Sequence, residues 1–179
     1  MFFGHKHVIT INDIKKNFYN GALYSSKYRL IITPPLYVNT NNITEKLVVL
    51  SKTAKMPEHK IGAEEIKIKG RPVTIKKQLE LGNSYDVSVY EESSMKVRKI
   101  LDRWIDMGDR LGYGGQRGYD NGNIKIYQLD GDNNEVYGVE FYDVFLTSIS
   151  DISYDGTSAG EVISYNLSFS YSGWDIINI

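Results

Sequence analysis

The part of this 179-residue chain that comes nearest to a metal-binding pattern is the acidic run at 130–134, Asp-Gly-Asp-Asn-Asn. Carboxylate and amide side chains at this spacing begin the calcium loop of an EF-hand. That loop needs glycine at its sixth position and a bidentate glutamate at its twelfth, where this chain has Glu135 and Phe141. We therefore expect a plain hairpin turn here, without a bound metal.

Other residues that could do chemistry do not form a working set. The glycine-rich run at 112–118 matches neither a phosphate loop nor a dinucleotide fingerprint, and it follows a predicted helix instead of a strand. The three histidines, His5, His7 and His59, have no cysteine to complete a zinc site. No serine lies in a nucleophile elbow and no acid pair stands out. We expect no catalytic residue, no metal and no cofactor, and hence no enzyme.

Length and composition indicate an ordinary globular protein. A chain of 179 residues, 41% hydrophobic and 24% charged, is typical of one domain that spans residues 1–179. No apolar run approaches the roughly 20 residues that a membrane-spanning helix needs. The absence of cysteine suits a reducing compartment. We expect a soluble protein made in the cytoplasm, without membrane insertion.

The charges are strongly polarised along the chain. All 21 lysines and arginines lie in residues 1–125, and the last nine acids lie after them without any cation. Nine of the cations fall between Lys46 and Lys77, a stretch that contains only three glutamates. The stretch could be a solvated hairpin whose lysines protect a sheet edge, a protein contact surface, or a nucleic-acid patch. It has no aromatic side chain on which bases could stack.

Hydrophobic periodicity predicts a mainly β fold, a small barrel or sandwich with one packed helix. Period-two alternation predicts a hairpin over about 61–77, with its turn at Gly70-Arg71-Pro72 and a thin apolar face that needs a partner. Apolar residues at three- and four-residue spacing around Trp104 predict a helix over about 94–107, with Gly108 just beyond its end. Short strands are predicted at 27–33, 46–50, 85–90, 124–129, 135–142, 144–149 and 161–171.

The order of these features resembles the tail tube proteins of contractile-tailed, T4-like bacteriophages. A Met-Pro step at residues 56–57 leads into the basic hairpin, and a strand at 85–89 leads into the helix with Trp104. The sequence then has Tyr-Gln-Leu-Asp-Gly-Asp-Asn at 127–133, Val-Phe-Leu-Thr-Ser-Ile-Ser-Asp-Ile at 144–152, Phe-Ser-Tyr at 169–171 and Trp174. The likeness covers the chain from about Asp13 onward and leaves residues 1–12 unassigned.

The resemblance implies a structural subunit. Hexameric rings would stack head to tail into a tube, DNA would pass transiently through the lumen during genome ejection, and the lumen would be acidic or neutral. Its partners would be other copies of itself, the tail sheath, the baseplate and the tape-measure protein, and its location would be the tail of the virion. The subunit-contact candidates are Met56, Pro57, Ile66, Lys67, Ile68, Lys69, Arg71, Val73, Ile75 and Lys76.

Two alternatives stay open at this point. The same fold would serve a ring that initiates a tube at the baseplate, or the tube of a tailocin or another injection system. From a different class, a monomeric nucleic-acid-binding β-barrel would use the basic hairpin as its grip, and its DNA binding would weaken steeply with salt.

Overall fold

The computed structural model describes residues 21–38, 47–80, 82–111, 121–157 and 160–179. The expectations for residues 1–12 and for the glycine-rich run at 112–118 lie outside these ranges. Within them the fold is mainly β with a single α-helix, as the sequence predicts. In chain order the elements are β1 (Tyr28–Thr33), a 3-10 turn (Leu36–Val38), β2 (Leu47–Val49), β3 (Ser51–Thr53), β4 (Lys60–Ile68), β5 (Arg71–Glu80), β6 (Ser84–Tyr90), α1 (Lys96–Leu111), β7 (Gly122–Leu129), β8 (Glu135–Ile149), β9 (Ser164–Ser170) and β10 (Gly173–Ile177).

Eight strands form one bent antiparallel sheet around the core. Its order is β2-β1-β7-β8-β9-β6-β3, and β10 pairs with β8 outside this path. The two outermost strands, β2 and β3, follow each other in the chain and meet at Leu50, whose carbonyl accepts a hydrogen bond from the Tyr90 N–H at 2.8 Å. One short segment therefore supplies both edges. The sheet is strongly curved, but β2 and β3 do not pair and the barrel is not closed.

Strand β8 passes from one half of the sheet to the other. The sequence predicts two strands, at 135–142 and 144–149, whereas the structure has one continuous strand with Asp143 at a positive φ of 53°. Up to Val144 β8 pairs with β7 or β10, and from Phe145 onward it pairs with β9. The left-handed residue turns the strand without ending it, and this local change is not visible in the hydrophobic pattern.

The core lies on the concave side of the sheet. Alternate side chains of the strands are buried there, and Phe141 contacts the rings of both Tyr85 and Tyr171, with centroids 4.7 and 4.9 Å apart. Trp104 of α1 completes the core and lies 5.9 Å from the ring of Phe169. The helix therefore packs on the concave side and leaves the opposite surface of the sheet uncovered.

The helix has the predicted apolar stripe but different ends. It begins at Lys96 instead of residue 94, and it continues through Gly108 to Leu111 instead of ending at residue 107. The C-terminal part of the helix packs near the 3-10 turn, where a Cβ on Gly108 would lie 3.7 Å from the Tyr37 hydroxyl. Tertiary packing there offsets the roughly 1 kcal/mol that a glycine costs inside a helix. The prediction that Gly108 lies just beyond the end of the helix is therefore wrong.

The hairpin β4–β5 forms a two-stranded sheet of its own. It spans residues 60–80, slightly more than the predicted 61–77. Its turn is Lys69-Gly70, with φ values of 50° and 79°, and not the predicted Gly70-Arg71-Pro72. Two consecutive positive φ angles match the twist of a tight hairpin, so Arg71 and Pro72 already belong to β5. The sequence interpretation also missed the short strands β3 and β10.

Candidate assembly surfaces

The hairpin presents the predicted apolar residues on one side. Ile66 lies directly opposite Val73, and Ile68 and Ile75 follow at two-residue spacing on the same side. Ile68, Val73 and Ile75 are 51%, 40% and 40% exposed. We call these four residues the hairpin face. It buries little within the subunit, because no strand of the larger sheet pairs with the hairpin.

The basic candidates divide between the two sides and the turn of the hairpin. Arg71 lies opposite Ile68 and borders the hairpin face, whereas Lys67 and Lys76 alternate onto the other side. Lys69 is the first residue of the turn. Near the base, Lys60 pairs with Glu80 at 2.6 Å and Lys77 pairs with Glu64 at 3.0 Å. The hydrogen bond that Lys60 donates to Glu80, and then the negative charge of Glu80, raise the pKa of Lys60.

Met56 and Pro57 lie apart from the hairpin face. They line a cleft of about 440 Å³ at the base of the hairpin, together with Lys60, Glu80 and the start of β6. The neighbouring His59 contacts Trp174 of β10, with ring centroids 4.3 Å apart. The ten candidates thus occupy three places: the hairpin face with Arg71, the opposite side with the turn, and this basal cleft.

A second surface, which the sequence interpretation did not single out, covers the convex side of β6, β9 and the end of β8. Tyr85, Val87 and Val89 point into the core, so the residues between them point outward, and β9 repeats this alternation. Most of the outward side chains carry hydroxyl groups. We call this the hydroxyl face, and its members are Ser84, Asp86, Ser88, Thr147, Ser148, Ser164, Asn166, Ser168 and Ser170.

The hydroxyl face is held by short polar contacts and has almost no charge. The Ser168 hydroxyl donates to Asp86 at 2.6 Å, and the Thr147 hydroxyl donates to the Ser168 carbonyl at 2.8 Å. Asp86 is its one charged side chain, and none of its members is a lysine or arginine. Phe145 and Tyr90 lie at its ends. The result is a polar surface whose one charged member is acidic.

The period-two pattern of serines in 84–90 and 164–170 is visible in the sequence, but its meaning is not. Each segment alone reads as a half-buried strand with polar residues facing solvent. Only the pairing of β6 with β9, and of β9 with β8, joins these residues into one surface. The signal that could have identified the face is the use of serine in place of the lysine and glutamate that usually cover solvent-exposed strands.

The acidic run at 130–134 is a hairpin turn, as predicted. One carboxylate oxygen of Asp130 accepts the N–H groups of Asp132 and Asn134, at 2.8 and 2.9 Å. The side-chain amide of Asn134 donates to the other carboxylate oxygen at 3.1 Å, and this bond, followed by the backbone bonds, lowers the pKa of Asp130. No group of three or more His, Cys, Asp or Glu side chains that could hold a metal occurs in the part of the chain that the structure describes.

The buried tyrosines are structural and stay neutral at ordinary pH. Burial raises the pKa of the Tyr85 hydroxyl well above its usual value. Burial, followed by a 2.5 Å hydrogen bond to Glu91, does the same for the pKa of Tyr165. These shifts move both groups away from the range in which acid–base catalysis works.

Among the described residues, no helix is long and apolar enough to cross a membrane.

Comparison with solved structures identifies the fold. A chain of the anti-feeding prophage baseplate, 11% identical, gives a TM-score of 0.63 over 87% of this chain and 95% of its own length. The sheath–tube terminator of an extracellular contractile injection system, PVC, gives a TM-score of 0.60 at 12% identity, over 88% of this chain and 97% of its own length. A chain of the extended PVC sheath–tube complex gives a TM-score of 0.58 at 10% identity, over 96% of this chain and 100% of its own length.

Neither a family model nor a curated protein matches the sequence. The similarity to solved structures is therefore a similarity of fold, because the sequence identity is too low to transfer the role of any individual residue. It covers nearly the full length of both partners in each comparison. The resemblance to contractile-tail tube proteins is confirmed at this level: the chain has the fold found in the baseplate, terminator and sheath–tube assemblies of these injection machines.

Proposed function

We propose that this protein is the subunit of a phage tail tube, a structural conduit without catalytic activity. Residues 1–179 would act as one tube domain, in hexameric rings that stack head to tail. The tail sheath, the baseplate and the tape-measure protein would be its further partners. It would be made in the host cytoplasm and end in the tail of the virion, where DNA crosses the lumen during ejection.

The observation that carries this proposal is the hydroxyl face. DNA sliding through a tube requires a wall that does not hold phosphates, because each lysine or arginine contact strengthens binding through counterion release. The hydroxyl face offers hydrogen-bonding groups and one carboxylate, and no cation. We assign it to the wall of the lumen. The lysines of the hairpin would then contact other subunits and not DNA.

The exposed apolar residues of the hairpin face are a second argument for assembly. Four apolar side chains on a separate two-stranded sheet are costly to leave in water, at roughly 25 cal/mol for each Å² that burial would remove. A lone hairpin of two strands is also marginally stable. Burial against a neighbouring subunit resolves both problems. In this proposal all ten contact candidates lie in contacts between subunits.

Electron microscopy of the purified protein, with a matched pair of variants, tests assembly. Wild-type protein should form tubes or six-fold rings in negative stain. Val73→Thr with Ile75→Thr should abolish them while the monomer stays folded, because both side chains are exposed. Leu23→Thr, at a site 60% exposed outside the hairpin, is the control and should assemble normally. Monodisperse wild-type monomers would contradict the proposal.

The lumen assignment has its own test, because the chain contains no cysteine. Ser168→Cys on the hydroxyl face and Asp106→Cys on the exposed side of α1 each introduce one thiol. After gold-cluster labelling of the subunits and assembly, the Ser168→Cys label should lie along the tube axis, and the Asp106→Cys label on the outside. The reverse arrangement would assign the lumen to the helix side.

A tube or baseplate ring of an injection system is the second candidate, since the solved structures with this fold include a baseplate and a sheath–tube complex. Its cargo would not be the genome. Purified native particles decide between the two: a tail attached to a DNA-filled head supports the phage tube, and headless particles support the injection system. Steep salt-dependent DNA binding by a monomer would instead favour the nucleic-acid-binding barrel.

A further inference from the structure

Three packed aromatic rings line the basal cleft. The ring of Phe141 lies 4.7 Å from that of Tyr85 and 4.9 Å from that of Tyr171, measured between centroids. All three side chains are buried, and Met56 and Pro57 add further apolar atoms to the lining. A fourth ring could extend this cluster through the edge-to-face or offset contacts that aromatic pairs prefer. The cleft volume of about 440 Å³ is also within the range of small-molecule sites.

The cleft also has a polar atom without a partner. The buried hydroxyl of Tyr85 forms no hydrogen bond with any residue that the structure describes. The backbone of Lys55 lies near this hydroxyl without bonding to it, and Lys55 lines the cleft as well. A buried hydroxyl gives up its hydrogen bonds to water, and native proteins rarely leave one unpaired. The Tyr85 hydroxyl is therefore a hydrogen-bonding group for a molecule bound in the cleft.

The absence of a side chain at residue 82 keeps space open beside the rings. A Cβ on Gly82 would lie 2.9 Å from the Tyr171 hydroxyl, and both residues line the cleft. The φ angle of Gly82 is outside the left-handed region, so its backbone conformation does not require glycine. What a larger residue at this position would fill is the space next to Tyr171.

The charged groups of the cleft are nearly balanced and partly paired with one another. Lys60 and Glu80 form an ion pair at 2.6 Å, and Asp86 accepts a hydrogen bond from the Ser168 hydroxyl at 2.6 Å. A strongly anionic ligand would meet three carboxylates, and a cationic ligand would meet two ammonium groups. The lining therefore favours a neutral ligand. Its charged members are Lys55, Glu58, Lys60, Glu80 and Asp86.

We propose that the basal cleft binds a neutral aromatic ring that carries a hydroxyl group, with a phenol as the simplest case. The ring packs against Tyr85, Phe141 and Tyr171 in the space beside Gly82, and its hydroxyl forms a hydrogen bond with that of Tyr85. A free small molecule and a tyrosine side chain of a polypeptide share this chemistry. The site lies within one subunit, so it does not depend on the proposed tube function.

Fluorine NMR of the full-length protein tests the hydrogen bond with two probes. 4-Fluorophenol and fluorobenzene differ only in the hydroxyl, so the ratio of their affinities contains its contribution. Between wild type and Tyr85→Phe this ratio should shift about tenfold in favour of fluorobenzene, the effect of roughly one net hydrogen bond. Tyr85→Phe should keep the wild-type melting temperature, because the removed hydroxyl bonds to no described residue. An unchanged ratio, or wild-type protein that binds neither probe, would overturn the proposal.

A glycine pair tests the position of the ligand. Gly82→Ala places a methyl group against the Tyr171 hydroxyl and should weaken the binding of both probes. Gly131→Ala, with nothing within 4 Å of its added Cβ, is the control and should bind both as wild type does. Wild-type affinity in Gly82→Ala would show that the probes bind elsewhere and would also overturn the proposal.

N-acetyltyrosinamide separates the two sources of the ring. Binding as tight as that of 4-fluorophenol supports the proposed chemistry with a tyrosine side chain of a polypeptide as the ligand. Weaker binding than that of 4-fluorophenol supports it with a free small molecule, because the cleft then excludes the peptide groups. In both cases Tyr85→Phe should lower the affinity for the hydroxyl-bearing ligand.

Discussion

At the residue scale, Glu91 joins the start of the helix to the sheet. Its carboxylate accepts the backbone N–H of Arg98 at 2.9 Å and the hydroxyl of Tyr165 at 2.5 Å. The Arg98 guanidinium lies over the Tyr165 ring and donates to the Ser150 carbonyl at 2.9 Å. Glu91 thus satisfies a free N–H of the first helical turn.

Replacing this carboxylate should destabilise the fold. Glu91→Ala leaves the buried Tyr165 hydroxyl and the Arg98 N–H without their acceptor, which should lower the free energy of unfolding by about 1–3 kcal/mol. Urea denaturation measures the change. Glu92→Ala is the control, because this side chain is exposed and should change stability by less than about 0.5 kcal/mol. Equal effects of the two variants would mean that Glu91 is not a structural anchor.

Asp130 gives a pH-dependent prediction at the same scale. Its folded pKa is lowered from 3.8 by the hydrogen bonds of Asn134, so the ionised form stabilises the turn above that pH. Asp130→Asn keeps an acceptor oxygen but removes the charge. The melting temperature of wild type should exceed that of this variant at pH 7. The gap should close as the pH falls below 3.8 through the lowered pKa.

Asp132→Asn, two residues along the same turn, is the matched control. Its backbone N–H takes part in the turn, and the contacts through Asp130 survive the substitution. Its melting temperature should follow wild type across the pH series. A gap between wild type and Asp130→Asn that stays constant down to pH 2 would contradict the assignment of the effect to the Asp130 charge.

At the scale of elements, the contact of α1 with β7 depends on the absence of a side chain. A Cβ on Gly122 would lie 2.3 Å from the Thr33 carbonyl oxygen and 2.8 Å from the ring of Trp104. The backbone of β1 and the buried indole would both have to move. Close approach of this kind explains how Trp104 of the helix fits against the start of β7 and is only 2% exposed.

Gly122→Ala should therefore destabilise the protein by about 1–3 kcal/mol, the usual effect of overpacking a core. Gly131→Ala is the matched control, because nothing lies within 4 Å of its added Cβ. That variant should stay close to wild type or gain a few tenths of a kcal/mol from lower unfolded-state entropy. Chemical denaturation of both variants provides the comparison, and equal stability of the pair would contradict the packing argument.

At the scale of the whole molecule, the cations of residues 1–125 and the nine acids that follow them are only partly separated in the folded structure. The base of the hairpin lies beside Ser84 at the start of β6, and Glu161 lies with Lys52 near Tyr90 at the end of the strand. Other acids, such as Asp130 and Glu135, lie on the β7–β8 turn, and Glu135 pairs with Arg29 at 2.8 Å. The charge split therefore contributes to subunit folding as well as to the proposed stacking.

Stacking through the hairpin should weaken with salt. Raising the ionic strength from 0.15 M to 1 M shortens the Debye length from about 8 Å to about 3 Å and screens exposed charges. Tube length in negative stain should decrease at 1 M salt, and the concentration needed for assembly should rise several-fold. The folded Val73→Thr, Ile75→Thr monomer, measured at both salt concentrations, controls for unfolding. Tubes unchanged at 1 M salt would assign stacking to apolar contacts alone.

The sequence by itself determined the class of fold, the hairpin and the helix. Alternation over residues 61–77 and the apolar stripe around Trp104 are local patterns, and local geometry decides which side chains share a side. The ordered motifs also pointed to the tube fold. The ends of the elements were less accurate, because Lys69 and Asp143 adopt left-handed conformations that no pattern marks, and because packing carries the helix past Gly108.

Only the tertiary structure decided which surfaces exist. The hydroxyl face is assembled from β6, β8 and β9, whose residues are separated by as many as 86 positions between Ser84 and Ser170 yet pair directly. The cleft beside Tyr90 likewise brings Leu50 together with Val162. Such surfaces depend on strand pairing over long sequence distances, and a single sequence fixes the side on which a residue lies without specifying its neighbours on that side.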